Sequence, residues 1–265
     1  MISNIHTHTN FCDGDNSPEE MVIDAINNGF SSLGFSGHAF TDFDTSFCIK
    51  DTTGYIKEVK RLKDKYKSKI QIYLGLEEDY LCPVKDRKDF DFIITSAHYV
   101  KIHNDYLTVD YDFETLSKGI QLCGNEIEFA EKYYQNFTDY ILAKKPNIIG
   151  HFDLLTKFEE ENTVFLKNED YYKIAEKYLK ISLSSSPFFE VNTGAISRGY
   201  RTTPYPDEKL LYVIKKNDGK IILNSDSHSI GTLDNKFEET KKFLKDIGFE
   251  YTYILYNNEF IKDFL

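Results

Sequence analysis

The feature that most constrains this chain is a repeated order of segments: a short apolar run rich in β-branched residues, then a polar residue, then an amphipathic stretch. The runs are Ile2 to His6, Ser32 to Ser36, Ile70 to Leu76, Phe90 to Thr95, Asn147 to Gly150, Phe188 to Asn192 and Ile221 to Asn224. Most are apolar without alternation, as in strands covered on both faces. Between them lie helical patterns. Ser17-Pro18-Glu19-Glu20 is a capping box with proline at the first helical position, and Met21, Ile23, Ala25 and Ile26 follow before Gly29. Tyr55 to Tyr66, Glu126 to Leu142, Asp170 to Leu183, Asp207 to Lys216 and Asn235 to Ile247 supply further helices. Strands alternating with helices predict a parallel sheet, and about seven such units without a linker, repeat or low-complexity break predict a single α/β domain, residues 1–265, built as a (β/α)7 barrel.

A parallel barrel assembles its chemistry at the carboxyl ends of its strands. Here those ends carry His6-Thr7-His8 followed by Asp13, then Gly37-His38, Gly75-Leu76-Glu77, Ser96-Ala97-His98, Gly150-His151, Asn192 with Arg198 beyond it, and Asp226-Ser227-His228. Of seven histidines, only His103 stands off the pattern, as an ordinary loop residue. His6 and His8 are two apart and share one face of an extended strand, as do Asp226 and His228. Imidazole and carboxylate together suit zinc, manganese, iron or cobalt. His6, His8, Asp13, His38, Glu77, His98, His151, Asp226 and His228 are more ligands than one ion can use, so two or three divalent ions are expected. Each feature alone is ordinary: Glu77 with Glu78 and Asp79 reads equally as a solvated acidic turn, and Asp13 with Gly14 as a plain turn. Coincidence across seven strands favours metal.

Composition narrows the partners. With 32 Lys+Arg against 43 Asp+Glu, the net charge is −11, which disfavours nucleic acid and anionic lipid surfaces. No apolar run approaches the roughly 18 residues of a membrane helix and no leader pattern is present, so no membrane association and a cytoplasmic location are expected. Cys12, Cys48, Cys82 and Cys123 form no CxxC pair, which argues for reduced thiols.

As an ordered set, His6-Thr7-His8-Thr9 with Asp13-Gly14, Gly37-His38, Gly75-Leu76-Glu77, Ser96-Ala97-His98, Gly150-His151-Phe152-Asp153, Glu190-Val191-Asn192-Thr193-Gly194 and Asn224-Ser225-Asp226-Ser227-His228 resemble the PHP (polymerase and histidinol phosphatase) superfamily, in particular its L-histidinol-phosphate phosphatase branch. The resemblance implies a distorted (β/α)7 barrel with a trinuclear metal centre. His6, His8, Glu77 and Asp226 would hold one ion, Glu77 would bridge to a second held by His98 and His151, and Asp13, His38 and His228 would hold the third. Where relatives place a histidine near Asp13, this chain has only the carboxylate. Hydroxide bridging two ions would attack phosphorus and displace the alcohol of histidinol. Arg198 is the first choice for a phosphate clamp, with Lys157 second and Arg201 competing. Asp226 or His228 would protonate the leaving oxygen. Another small phosphate monoester is the nearest alternative substrate. A nuclease or proofreading role conflicts with the charge, and a scaffold with a dead site conflicts with the filled ligand positions. Phe40, Phe43 and Tyr99 lie near ligands but read equally as barrel packing.

Overall fold

Each apolar run is followed by a crossover long enough to bring the next run back alongside it in the same direction, so neighbouring strands pair in parallel. The computed structural model describes residues 1–185 and 187–265. Its strands are β1 (Ser3–Asn4), β2 (Ser32–Phe35), β3 (Gln71–Asp79), β4 (Phe92–Ser96), β5 (Tyr99–Ile102), β6 (Asp105–Thr108), β7 (Ile148–Ile149), β8 (Phe188–Asn192), β9 (Lys220–Asn224), β10 (Tyr251–Tyr256) and β11 (Glu259–Phe264). Nine of them make one sheet in the order β1-β2-β3-β4-β7-β8-β9-β10-β11, while β5 and β6 form a separate hairpin. Pairing is parallel from β1 through β10 and antiparallel only between β10 and β11.

The helices are α1 (Pro18–Asn27), α2 (Thr52–Tyr66), α3 (Phe113–Cys123), α4 (Glu126–Lys144), α5 (Glu159–Asn162), α6 (Glu169–Leu183), α7 (Gly194–Ser197), α8 (Glu208–Lys216) and α9 (Phe237–Ile247). Both bonds of the expected capping box at Ser17 and Glu20 are present, and α1 buries Met21, Val22 and Ala25. No helix among the described residues is long and apolar enough to cross a membrane.

The sheet curls until its first and seventh parallel strands meet, and the seam is unusual. Beyond the ends of β1 and β9, the His8 amide donates to the Ser227 carbonyl at 2.8 Å and the Ser227 amide donates to the His6 carbonyl at 3.2 Å. Below that point asparagines replace a ladder. Asn4 Nδ2 donates to Ser225 Oγ (2.8 Å) and to the Leu233 carbonyl (3.1 Å), and Asn224 Oδ1 accepts the Ile5 amide (3.0 Å). This is the distorted barrel the sequence predicts, with β10 joined to β9 through the single register Tyr253 to Ile222.

Side chains at alternate positions share a face, so on β3 Tyr73 lies on the same side as Glu77. Tyr73 clusters with Ile5, Phe92, Ile94, Ile148, Ile222 and Leu255, all nearly fully buried. This apolar layer fills the barrel below the polar strand ends, as barrel interiors require. Gly75 has no Cβ because the Phe92 ring occupies that space.

Three expectations are revised. The β5–β6 and β10–β11 hairpins were not anticipated, because the first is short and largely polar and the second follows the last helix without a polar strand end to mark it. Glu77, Glu78 and Asp79 are not a solvated turn. They end β3 and are 1%, 0% and 5% exposed, and Glu78 is neutralised by Arg87 while accepting from Thr95 Oγ1 (2.8 Å) and Tyr140 Oη (2.9 Å).

Asn4→Ala strands several buried polar groups at the seam. It is expected to lower the unfolding free energy by about 2–3 kcal/mol, read from the urea midpoint at unchanged slope.

Candidate metal centre and adjoining cavity

Because β1, β2, β3, β4, β7 and β9 all aim their carboxyl ends at one rim, residues as far apart in the chain as His6 and His228 converge there. Around the seam, His6 Nε2 lies 3.2 Å from Glu77 Oε2 and 3.6 Å from Asp226 Oδ1, and His8 Nε2 lies 3.5 Å and 3.2 Å from the same two oxygens. These four side chains are nearly fully buried. His6 Nε2, His8 Nε2 and Glu77 Oε2 have no hydrogen-bond partner. Buried polar atoms are rarely left so, and two imidazole nitrogens facing two carboxylate oxygens are a donor set that fits a divalent cation.

The other oxygen of Glu77 faces a second pair: Oε1 is 3.0 Å from His151 Nε2 and 3.4 Å from His98 Nε2, and it also accepts from Ser96 Oγ at 2.5 Å. A third group forms on the outer side. Asp13 Oδ2 lies 3.3 Å from His228 Nε2 and 3.6 Å from His38 Nε2, and Asp13 Oδ1 lies 3.5 Å from His8 Nδ1. His8 was not expected here. It stands between two groups, one ring nitrogen turned to each. His38 does the same, with Nδ1 3.0 Å from Glu77 Oε2. All nine ligand candidates therefore meet in one continuous cluster, their donor atoms falling into overlapping sets of three or four within 4.8 Å of one another. His103 lies apart, in the turn between β5 and β6, with a φ of 55°.

Electrostatics bind the cluster together. Burial disfavours the protonated form of His6, yet Glu190, Glu77 and Asp226 outweigh it and raise its pKa to about 10. Burial likewise opposes ionisation of Glu77 and Asp226, but His6, His98 and His38 hold Glu77 well below the carboxylate range, and Arg198 and His6 do so for Asp226. Cations are thus what this arrangement of acids calls for, and metal must displace the protons, so acidification opposes loading.

Two outer residues escaped the sequence reading. Glu190 Oε1 lies 2.6 Å from His6 Nδ1, and Glu190 Oε2 accepts the His151 amide at 3.1 Å. Asp79 Oδ2 accepts the His98 amide at 2.8 Å. Glu190 sits inside an apolar strand among the quoted motifs, and its charge there was the available signal.

Beside the cluster opens a cavity of about 750 Å³ lined by Asp13, His38, His98, Lys157 and Arg198 together with an aromatic wall. Arg198 Nη2 donates to Asp226 Oδ2 (3.0 Å) and Nη1 to the Asp226 carbonyl (3.2 Å). Lys157 Nζ donates to the Asp110 carbonyl (2.5 Å), lies 4.4 Å from the centre of the Tyr200 ring, and has its pKa lowered by burial. Arg201, expected to compete for phosphate, is not part of the lining. It is 4% exposed, donates to Thr156 Oγ1 (2.5 Å) and stacks on Tyr205 at 4.6 Å. The physical reason is the buried carboxyl of Asp153, which attracts the guanidinium. Of the aromatic residues near ligands, Phe43 and Tyr99 line the cavity, whereas Phe40 does not and is half exposed.

Comparison with known proteins agrees with this picture. A Bacillus subtilis histidinol-phosphatase is 27% identical over 88% of this chain and 96% of its own length. A candidate histidinol phosphatase from Listeria monocytogenes superposes with a TM-score of 0.79 at 21% identity, covering 90% of this chain and 99% of that one. The Lactococcus lactis histidinol phosphate phosphatase, solved with zinc, L-histidinol and phosphate, superposes with a TM-score of 0.74 at 22% identity, covering 98% of both chains. These two likenesses establish a shared fold. The PHP domain model matches residues 4–194, well over half of the chain, and the protein accordingly belongs to the PHP domain family.

Proposed function

We propose that this protein is a metal-dependent phosphatase that hydrolyses L-histidinol phosphate to L-histidinol and phosphate, a step of histidine biosynthesis, as one domain acting in the cytoplasm. The observation that carries the reading is the convergence of nine imidazole and carboxylate side chains from six strand ends, among them the buried and unpartnered His6 Nε2, His8 Nε2 and Glu77 Oε2, beside a cavity with two cations in its wall. The histidinol-phosphatase name of the Bacillus relative, and the zinc, histidinol and phosphate held by the Lactococcus structure, support the choice of substrate.

His6, His8, Glu77 and Asp226 would hold one divalent ion, Glu77 with His98 and His151 a second, and Asp13, His38 and His228, joined by His8, a third. Manganese, iron, zinc and cobalt all suit these donors. When bound, the ions supply Lewis acidity, lowering the pKa of water and neutralising charge on phosphoryl oxygens.

The remaining tasks fall to the chain. Glu190 fixes the ring orientation of His6, since a ligating imidazole needs its other nitrogen held. Arg198 has two nitrogens turned to Asp226 and none of its Nε donation used among the described residues, so it can hold Asp226 in place and grip a phosphoryl oxygen. Lys157 adds the second positive charge. Asp226 is kept ionised by Arg198 and both of its oxygens face partners, which suits a ligand rather than a proton donor. His228 is a quarter exposed, but Nε2 faces Asp13 at 3.3 Å and Nδ1 the Asp226 carbonyl at 2.9 Å, so it too suits a ligand.

Phosphate release from L-histidinol phosphate, set against a panel of small phosphate monoesters, is expected to favour the former by several orders of magnitude in kcat/KM. Chelation should abolish release and a divalent ion restore it. Equal slow turnover of every ester would remove the substrate assignment. Glu190→Gln should weaken metal affinity by about ten- to a hundredfold in a chelator competition. Arg198→Ala should raise KM and lower kcat, and unchanged kinetics would move the clamp to Lys157.

A further inference from the structure

The cavity wall contains a feature that phosphate chemistry alone disfavours. A site for a dianion should exclude carboxylates, yet Asp110 lines the same cavity as Lys157 and Arg198. Its backbone is anchored: the amide of the preceding Val109 donates to the His98 carbonyl at 2.9 Å, and Lys157 Nζ donates to the Asp110 carbonyl at 2.5 Å. Its carboxylate is not. Among the described residues it accepts no hydrogen bond, and the nearest cation, Lys157 Nζ, is 4.0 Å from Oδ2. The side chain is only 26% exposed, so water does not fully compensate the charge. The two other acids of the wall are committed: Asp13 faces His228 and His38 in the cluster, and Asp44 accepts from Tyr99 Oη (2.8 Å) and from the Ser46 amide (3.0 Å) and hydroxyl (2.7 Å).

Aromatic rings complete the wall as a continuous series. Phe47 meets His38 edge-on at 4.9 Å, Tyr99 follows at 6.1 Å, Phe43 meets Tyr99 at 5.0 Å, and Tyr106 stacks on Phe43 at 4.0 Å with 8° between planes. Such a surface receives a flat ring and favours positive charge over its faces. A cavity with cations for phosphate, one carboxylate held only by a 4.0 Å ion pair to Lys157 and an aromatic wall matches an ester whose alcohol part carries its own positive charge.

We propose that Asp110 is the specificity-determining residue of this site, its carboxylate receiving the ammonium group of an amino-alcohol phosphate whose flat ring lies along the Phe47–Tyr99–Phe43 wall. This assignment rests on reading the site as a phosphatase for a small ester. Asp110 acts on the leaving alcohol and not on the phosphoryl group, so its removal changes which alcohol is held.

Calorimetric titration of the metal-loaded protein with L-histidinol and, separately, with inorganic phosphate tests this without turnover. Asp110→Asn should raise the Kd of L-histidinol relative to that of phosphate by about tenfold or more, the effect of losing one charge-assisted hydrogen bond. Asp110→Glu, which keeps the charge, should shift that ratio less than Asp110→Asn does. Wild-type protein should also bind L-histidinol more tightly than 3-(imidazol-4-yl)propan-1-ol, which lacks the amine. A ratio unmoved by Asp110→Asn, or equal binding of the two alcohols by wild type, would overturn the assignment. Failure of wild type to release phosphate from L-histidinol phosphate, with Asp110-dependent binding of L-histidinol intact, would instead remove the substrate reading and leave Asp110 in its role.

Discussion

Glu77 is the residue on which the upper half of the barrel depends. A carboxylate that is 1% exposed is costly to bury unless countercharges surround it, and here five histidines from four separate segments do so: His6 and His8 next to β1, His38 after β2, His98 after β4 and His151 after β7. The two oxygens divide the cluster, one facing the seam and the other the far side. Without Glu77 the imidazoles would repel one another once protonated, and with it they form one charge-balanced unit that cations can enter. The layer of Tyr73, Phe92, Ile94 and their neighbours beneath it keeps water from reaching the cluster from below.

The candidate ligands were legible because each stands where a strand stops, and a barrel turns that one-dimensional position into a shared location. The fold followed from the same grammar. What stayed hidden depends on partners far away in sequence. Glu190 lies in an apolar strand, and its charge finds its use through partners such as His6, 184 residues earlier, and the His151 amide. Asn4 and Asn224 look like ordinary polar residues at strand ends, yet they carry the hydrogen bonds of the seam. Arg201 shows the reverse: three residues from Arg198 in sequence, it lies outside the cavity lining, held by Thr156 Oγ1 and the Tyr205 ring, with the buried Asp153 attracting its charge.

The net charge of −11 and a phosphate-ester substrate are reconciled locally. Cations are concentrated at Arg198, Lys157 and the expected ions, while surface acids such as Glu19, Glu58 and Glu131 are engaged with Arg61 and Lys177 on the outer helices. The overall potential therefore says little about the cavity, and the acid that matters for the ligand is a single wall residue.

The seam between β1 and β9 has a consequence for the order in which the molecule matures. His6 and His8 are tied to Ser227, about 220 positions later in the chain. These candidate ligands are thus placed only when segments that far apart come together, and the loop that must close is correspondingly long. An ion that binds only the closed barrel adds its binding energy at that last step, so metal availability and completion of the fold are linked during biogenesis as well as during catalysis.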